Sequence, residues 1–179
     1  MLLLTGPPGI GKTTVLSRAA VALNAKGYHV GGMISREIRQ NHERLGFEIV
    51  DLTTTERGWL AHVNQKVGPQ IGKYKVNLEN LAKIGAQAIR SATETCEIVI
   101  IDEIGPMELF SENFKQAVTK ALNSPKLVIA AIHWRTQDSL ILEARNREDA
   151  ETTIITIESR EALSEQIVEK CLTIFKPHP

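Results

Sequence analysis

Directly after the apolar run at residues 1–5 stands Gly6-Pro7-Pro8-Gly9-Ile10-Gly11-Lys12-Thr13, the stretch that most constrains what this chain can become. It matches the phosphate-binding loop G-x-x-x-x-G-K-[ST] without deviation. A loop of this kind leaves the end of a buried strand and opens a helix, so it dictates a strand–loop–helix start. Its glycines let the backbone turn tightly and aim N–H groups inward. The helix N-terminus adds a partial positive charge. Lys12 adds a full one for the β- and γ-phosphates, and Thr13 brings a hydroxyl suited to a magnesium shell. Gly6 through Thr13, with Thr14, are therefore the expected binders of a nucleoside triphosphate.

The flanking pattern alternates between strand and helix. Residues 12–26 read as a helix with Val15, Leu16, Ala19, Ala22 and Leu23 on one face and Gly27 as its stop. Residues 28–33 return as a strand, which opens a βαβ unit and predicts a largely parallel sheet. Between residues 34 and 76 the pattern changes to short alternating runs at 35–39, 46–52, 58–63 and 73–76. These predict an antiparallel meander on the sheet edge, inside a single domain spanning 1–179. The loop begins at residue 6, which leads us to expect no preceding domain.

Asn77 is the expected cap of a helix reaching about Ala92, with Leu78, Leu81, Ala82, Gly85, Ala88 and Ile89 inward. Ser111 should cap another, burying Phe114, Ala117, Val118, Ala121 and Leu122. The aliphatic runs 98–101 and 127–132 fit strands covered on both faces. A short helix at 139–145, a strand at 153–157 and a helix from 160 to about 173 complete an α/β chain.

Composition narrows the partners. Twenty-one basic and 21 acidic residues cancel, which argues against broad binding to nucleic acid or anionic membrane. Two cysteines, Cys96 and Cys171, and five scattered histidines (His29, His42, His62, His133, His178) show no metal-site spacing. No apolar run reaches membrane-span length, and residues 1–4 are too short for a signal peptide. These features predict a soluble, cytoplasmic protein, with a monomer favoured.

Ile98-Val99-Ile100-Ile101-Asp102-Glu103 supplies the chemistry that belongs with the loop. An aliphatic strand ending in Asp is the other half of a phosphate-loop magnesium site, so Asp102 and Thr13 are the candidate metal ligands. Glu103, next to it, is placed to orient or deprotonate an attacking water. Asp102-Glu103-Ile104-Gly105 also spells D-x-x-G, the γ-phosphate element of GTPase switches. Those proteins read guanine through N-K-x-D after a later strand, and here that place holds His133-Trp134-Arg135-Thr136. A small-molecule kinase and a non-enzymatic nucleotide-dependent regulator remain as alternatives. For the first, Arg145-Asn146-Arg147 lies where a lid would be. His133 is a candidate γ-phosphate sensor, and Arg145 or Arg147 a candidate for neutralising transition-state charge.

Taken together, these residues make the chain resemble the thermophile-type nucleoside-triphosphatases, relatives of the cancer-related nucleoside-triphosphatase. The likeness runs through Leu4-Thr5 and the phosphate loop, Glu37-Ile38-Arg39 to Arg44-Leu45-Gly46-Phe47, and Arg57-Gly58. It continues in Ile71-Gly72-Lys73-Tyr74, in Asp102 to Ser111 by way of Pro106-Met107-Glu108-Leu109-Phe110, and in Arg145-Asn146-Arg147. The resemblance implies a RecA-like three-layer sandwich and slow, magnesium-dependent hydrolysis of several nucleoside triphosphates. It also implies that strand 127–132 lies between the two motif strands, bringing His133 to the γ-phosphate. Asn41-His42 stands where the family often has Gly-Gly, and Asn tolerates the left-handed geometry needed there. Glu37, Arg39, Arg44 and Glu108 match the family pattern as an expected structural ion-pair set.

Overall fold

The structure is a computed structural model and describes residues 1–175; His178 lies outside the described residues. Along the chain, β1 (Leu2–Thr5) leads into α1 (Lys12–Ala25), β2 (Val30–Gln40), β3 (Glu43–Asp51), β4 (Arg57–His62), β5 (Gln70–Ile71) and β6 (Tyr74–Val76). Next come α2 (Leu78–Asn80), a π-helical turn (Leu81–Ala86), α3 (Gln87–Thr95), β7 (Ile98–Ile104), α4 (Glu112–Leu122) and β8 (Leu127–Ile132). The last elements are α5 (Ser139–Asn146), β9 (Glu151–Ile154) and α6 (Arg160–Phe175). Among the described residues, nine strands join one sheet in the order β5-β6-β4-β3-β2-β7-β8-β1-β9. The half from β2 to β9 is parallel. The half from β3 to β5 is antiparallel, as expected of the meander.

Every residue of β1 and β8 is buried because helices cover both faces of the parallel half. Alternation then sorts their side chains. Val99 and Ile101 of β7, with Val128, Ala130 and Ile132 of β8, pack under α3, α4 and α5 through Ile89, Phe114, Val118 and Ile141. Ile98, Ile100, Ile129 and Ala131 face α1 and α6 through Leu16, Leu23, Leu163 and Ile167. This is the three-layer sandwich. Cys96 and Cys171 are both buried, one in each layer.

Capping follows the sequence. Asn77 Oδ1 accepts the N–H of Asn80 at 2.9 Å, and Ser111 Oγ that of Phe114 at 3.2 Å. Asn41 and His42 both take left-handed backbone angles (φ 49° and 65°) and close the β2–β3 hairpin in two residues.

Three details differ from the sequence expectation. The strand expected to end at residue 33 and the next at 35–39 are one strand, β2. Its first part pairs with β7, while β3 follows it from Met33 to Gln40, so the change in pattern marks a change of covering and not a break. Leu78 is exposed, not inward. The wide turn at Leu81–Ala86 breaks the helical phase, so the stripe formed by Leu81, Ile84, Gly85, Ala88 and Ile89 does not extend back to it. β9 begins two residues before the expected strand, because Glu151 to Ile154 pair with Leu2 to Thr5.

Candidate active site

β8 lies between β1 and β7 in the sheet, so the segments leaving all three C-terminal ends gather over one edge. From β1 comes the phosphate loop. Gly11 holds φ 112° as the cap of α1, a conformation open to glycine that lets the loop fold back before the helix begins. Lys12 is buried, and its Nζ donates to the carbonyls of Gly6 (3.1 Å) and Pro7 (3.4 Å). From β7 come the two acids. Asp102 is 1% exposed, and its Oδ2 accepts from the backbone N–H of Ser35 at 3.2 Å and from the Ser35 hydroxyl at 3.4 Å. Burial pushes the Asp102 carboxyl up to about 6, against hydrogen bonds from Thr13 and Ser35; the charge of Glu103 adds to the rise and Lys12 opposes it.

Glu103 Oε2 lies 3.5 Å from Lys12 Nζ. Burial raises its pKa, and the charge and hydrogen bond of Lys12 pull it back. Its other oxygen, Oε1, is buried without a hydrogen-bond partner. The expected meeting of Lys12, Thr13, Asp102 and Glu103 is thus present in space, with Ile98 to Ile101 as the buried strand beneath and Ile104-Gly105 continuing beyond.

From β8 comes His133. Its Nδ1 accepts the N–H of Arg135 at 3.4 Å and lies 2.7 Å from the Thr136 hydroxyl, which leaves the proton of the neutral ring on Nε2. Burial and the nearby cations Lys12, Arg145 and Arg135 lower its pKa, favouring that neutral form. A cavity of about 860 Å³ joins these parts, lined by Lys12, Thr13, Thr14, Glu103 and His133.

The two candidate arginines do not line it. Arg145 donates to the carbonyls of His133 (3.0 Å) and Trp134 (3.4 Å), so it steadies the turn that carries His133. Arg147 pairs with Asp149 and Asn123. Asp149 in turn accepts from the Met1 amino group, at the opposite end of β1 from the phosphate loop. Arg147 is therefore corrected out of the site: α5 runs back across the sheet and carries it away.

The cavity also contains residues that no motif announced. Ser35 sits where β2 runs past the last residue it pairs with β7, opposite Asp102. The meander adds Arg36, Glu37, Arg44, Phe47 and Tyr74, and the segment after β7 adds Met107 and Glu108. Glu37 pairs with both Arg39 and Arg44, as expected of an ion-pair set. Glu108 stands apart from that set: it is buried against the cavity, and burial pushes its carboxyl up to about 8. For Glu37, Arg44, Phe47, Tyr74, Met107 and Glu108 the sequence clue was membership in the longer matching segments, which carried no chemistry by itself; Ser35 and Arg36 had none.

Residues 1–168 match the family model described as NTPase. The chain belongs to this NTPase family. A nucleoside-triphosphatase THEP1 from Thermofilum pendens is 43% identical over 173 residues, 96% of this chain and 95% of its own. One from Methanosarcina acetivorans is 43% identical over 170 residues, 94% and 95% of the two chains. Among solved NTPase structures, a human cancer-related nucleoside triphosphatase superposes with a TM-score of 0.82 at 34% identity, covering 98% of each chain. THEP1 from Aquifex aeolicus superposes with a TM-score of 0.81 at 28% identity, covering 95% of this chain and 98% of its own. Among the described residues, no helix is long and apolar enough to cross a membrane.

Proposed function

We propose that this protein hydrolyses the β–γ bond of nucleoside triphosphates, releasing the diphosphate and phosphate. One observation carries the reading: the Lys12 amine, inside the phosphate loop, lies 3.5 Å from Glu103, which adjoins the buried Asp102. In that arrangement the phosphate loop holds the polyphosphate through backbone N–H groups, and Lys12 exchanges its carbonyl contacts for phosphate oxygens. Glu103 orients the attacking water through Oε1, the oxygen left without a partner, and accepts its proton. The neutral His133 ring offers Nε2–H to the γ-phosphate.

Asp102 and Thr13 fit magnesium, since both offer oxygen and such an ion takes few carboxylates. When bound, the ion neutralises charge on the β- and γ-phosphate oxygens. Ser35 orients Asp102 for that task. Base choice is broad, because His133-Trp134-Arg135-Thr136 occupies the place of a guanine-reading segment. Turnover is slow: Arg145 is tied to backbone and Arg147 is remote, so neither supplies the charge worth about 10³-fold or more where an arginine serves the transition state.

Phosphate release from ATP, GTP, CTP and UTP by the purified protein, with and without magnesium, tests the reading. Glu103→Gln should keep nucleotide affinity and lower turnover by about 10²-fold or more. Hydrolysis at the wild-type rate by that variant would remove Glu103 as the base.

A further inference from the structure

The cavity extends well past the phosphate loop. Beyond Glu103 its wall is formed by the meander and the segment after β7, with Phe47, Ile71, Tyr74, Met107 and Glu108. The Phe47 and Tyr74 rings meet edge to face with centroids 5.4 Å apart, and the Arg44 guanidinium lies 5.4 Å from the Phe47 centroid. Among the described residues, the buried side-chain polar atoms without a hydrogen-bond partner are Arg44 Nε and Glu103 Oε1. One is a donor and one an acceptor, and both residues line this cavity. Native proteins pair nearly all such atoms, and an unpaired one points to a missing water, ion or ligand.

Direction matters as well. A nucleophile attacks the γ-phosphorus in line with the leaving diphosphate and from its far side. With Glu103 as the base, that side is the one facing the aromatic wall. A water occupies about 30 Å³, whereas the whole cavity measures about 860 Å³, which is ample for a triphosphate tail and a second ring-bearing molecule. Water attack has no use for an aromatic, apolar wall.

We propose that this half of the cavity binds a nucleoside-like acceptor, a flat ring with a polar edge and a hydroxyl on a short arm, whose hydroxyl takes the γ-phosphoryl group in place of water. The proposal rests on the hydrolase reading, since it uses the same Lys12 and Glu103. The ring lies beside Phe47 and Tyr74. Arg44 Nε–H donates to a ring carbonyl or nitrogen, and the Glu108 carboxyl hydrogen-bonds the ring edge. The acceptor hydroxyl donates to Glu103 Oε1. In the step itself the hydroxyl proton passes to Glu103, and the hydroxyl oxygen bonds to the γ-phosphorus. The bond from phosphorus to the bridging oxygen breaks, and its electron pair leaves with the diphosphate. The products are a phosphate monoester and the diphosphate, and Glu103 returns the proton to solvent. A bound acceptor displaces the competing water, so one carboxylate serves hydrolysis when the pocket is empty and transfer when it is filled.

The experiment incubates the full chain with γ-labelled ATP, magnesium and, in separate reactions, adenosine, guanosine, cytidine, uridine or thymidine. Mass spectrometry then measures label in nucleoside monophosphate and in free phosphate. The expected result is that at least one nucleoside diverts label into its monophosphate. The ratio of transferred to released phosphate should fall about tenfold in Phe47→Leu and in Arg44→Gln, each checked for folding by thermal melting. Label confined to free phosphate with every nucleoside overturns the transfer and leaves hydrolysis standing. Nucleosides that only compete with ATP also overturn it, because that half of the cavity then holds the base of the triphosphate. Neither release nor transfer overturns the hydrolase reading and this inference with it. Transfer without release supports the acceptor site and overturns water as the γ-phosphoryl acceptor, leaving the Lys12–Glu103 site that both readings share.

Discussion

Glu108 offers a sharp thermodynamic test. It is 5% exposed, beside the cavity. Burial pushes its carboxyl from 4.5 up to about 8; the charges of Glu103 and Asp102 add to the rise, and backbone hydrogen bonds at Glu108 and Gly105 oppose it. Below pH 4.5 the native and unfolded chains both hold this proton, and its contribution to stability is complete. Between 4.5 and about 8 the unfolded chain loses the proton while the native one keeps it, so stability falls as pH rises. Above about 8 the loss is complete. At about 1.4 kcal/mol per unit, the gap sets a ceiling of about 5 kcal/mol. Glu108→Gln keeps the shape and the hydrogen bonding but does not titrate. Its stability should equal that of the wild type near the acid end of the window and exceed it progressively toward the alkaline end. Each 1 kcal/mol should appear as about 2–4 °C in a chain of this size. Thermal and urea unfolding in half-unit steps across the window measure the difference. A variant-minus-wild-type difference that stays constant across the window would refute the buried, protonated carboxyl.

The remaining predictions bear on the fold and the site. Gly32 has φ 110°, and a Cβ there would lie 2.0 Å from the Ile100 carbonyl oxygen of β7. Gly32→Ala should therefore cost about 4 kcal/mol or more in urea unfolding, or leave the protein insoluble, and near-wild-type stability would contradict the β2–β7 register. Ser35→Ala removes a hydroxyl hydrogen bond from ionised Asp102, so the acid limb of magnesium binding should move upward in pH while turnover falls several-fold. An unmoved limb would count against Ser35 as a positioning residue. Arg147→Ala should leave phosphate release unchanged and lower stability by about 1 kcal/mol, since its ion pair with Asp149 lies near the surface. A large loss of turnover would return Arg147 to the active site.

What the amino-acid sequence determined by itself was local: the phosphate loop, the caps at Asn77 and Ser111, the apolar strands and the adjacency of Asp102 and Glu103. Each is decided by residues a few positions apart, where backbone freedom, hydrogen-bonding capacity and periodicity act directly. The meeting of Lys12 with Glu103 was inferable as well, because a loop and a strand end of these types have one productive arrangement. Tertiary structure decided the rest. Ser35 reached Asp102 because β2 continues past its pairing with β7. Arg147 left the site because α5 runs back across the sheet, and Arg145 was taken up by the carbonyls of His133 and Trp134. Phe47, Tyr74 and Glu108 came to one cavity from three segments. Burial then pushed up the carboxyl of Glu108, a change that no sequence neighbour dictates. Such effects depend on strand register and on the desolvation created by residues distant along the chain, and these exist only once the sheet is assembled.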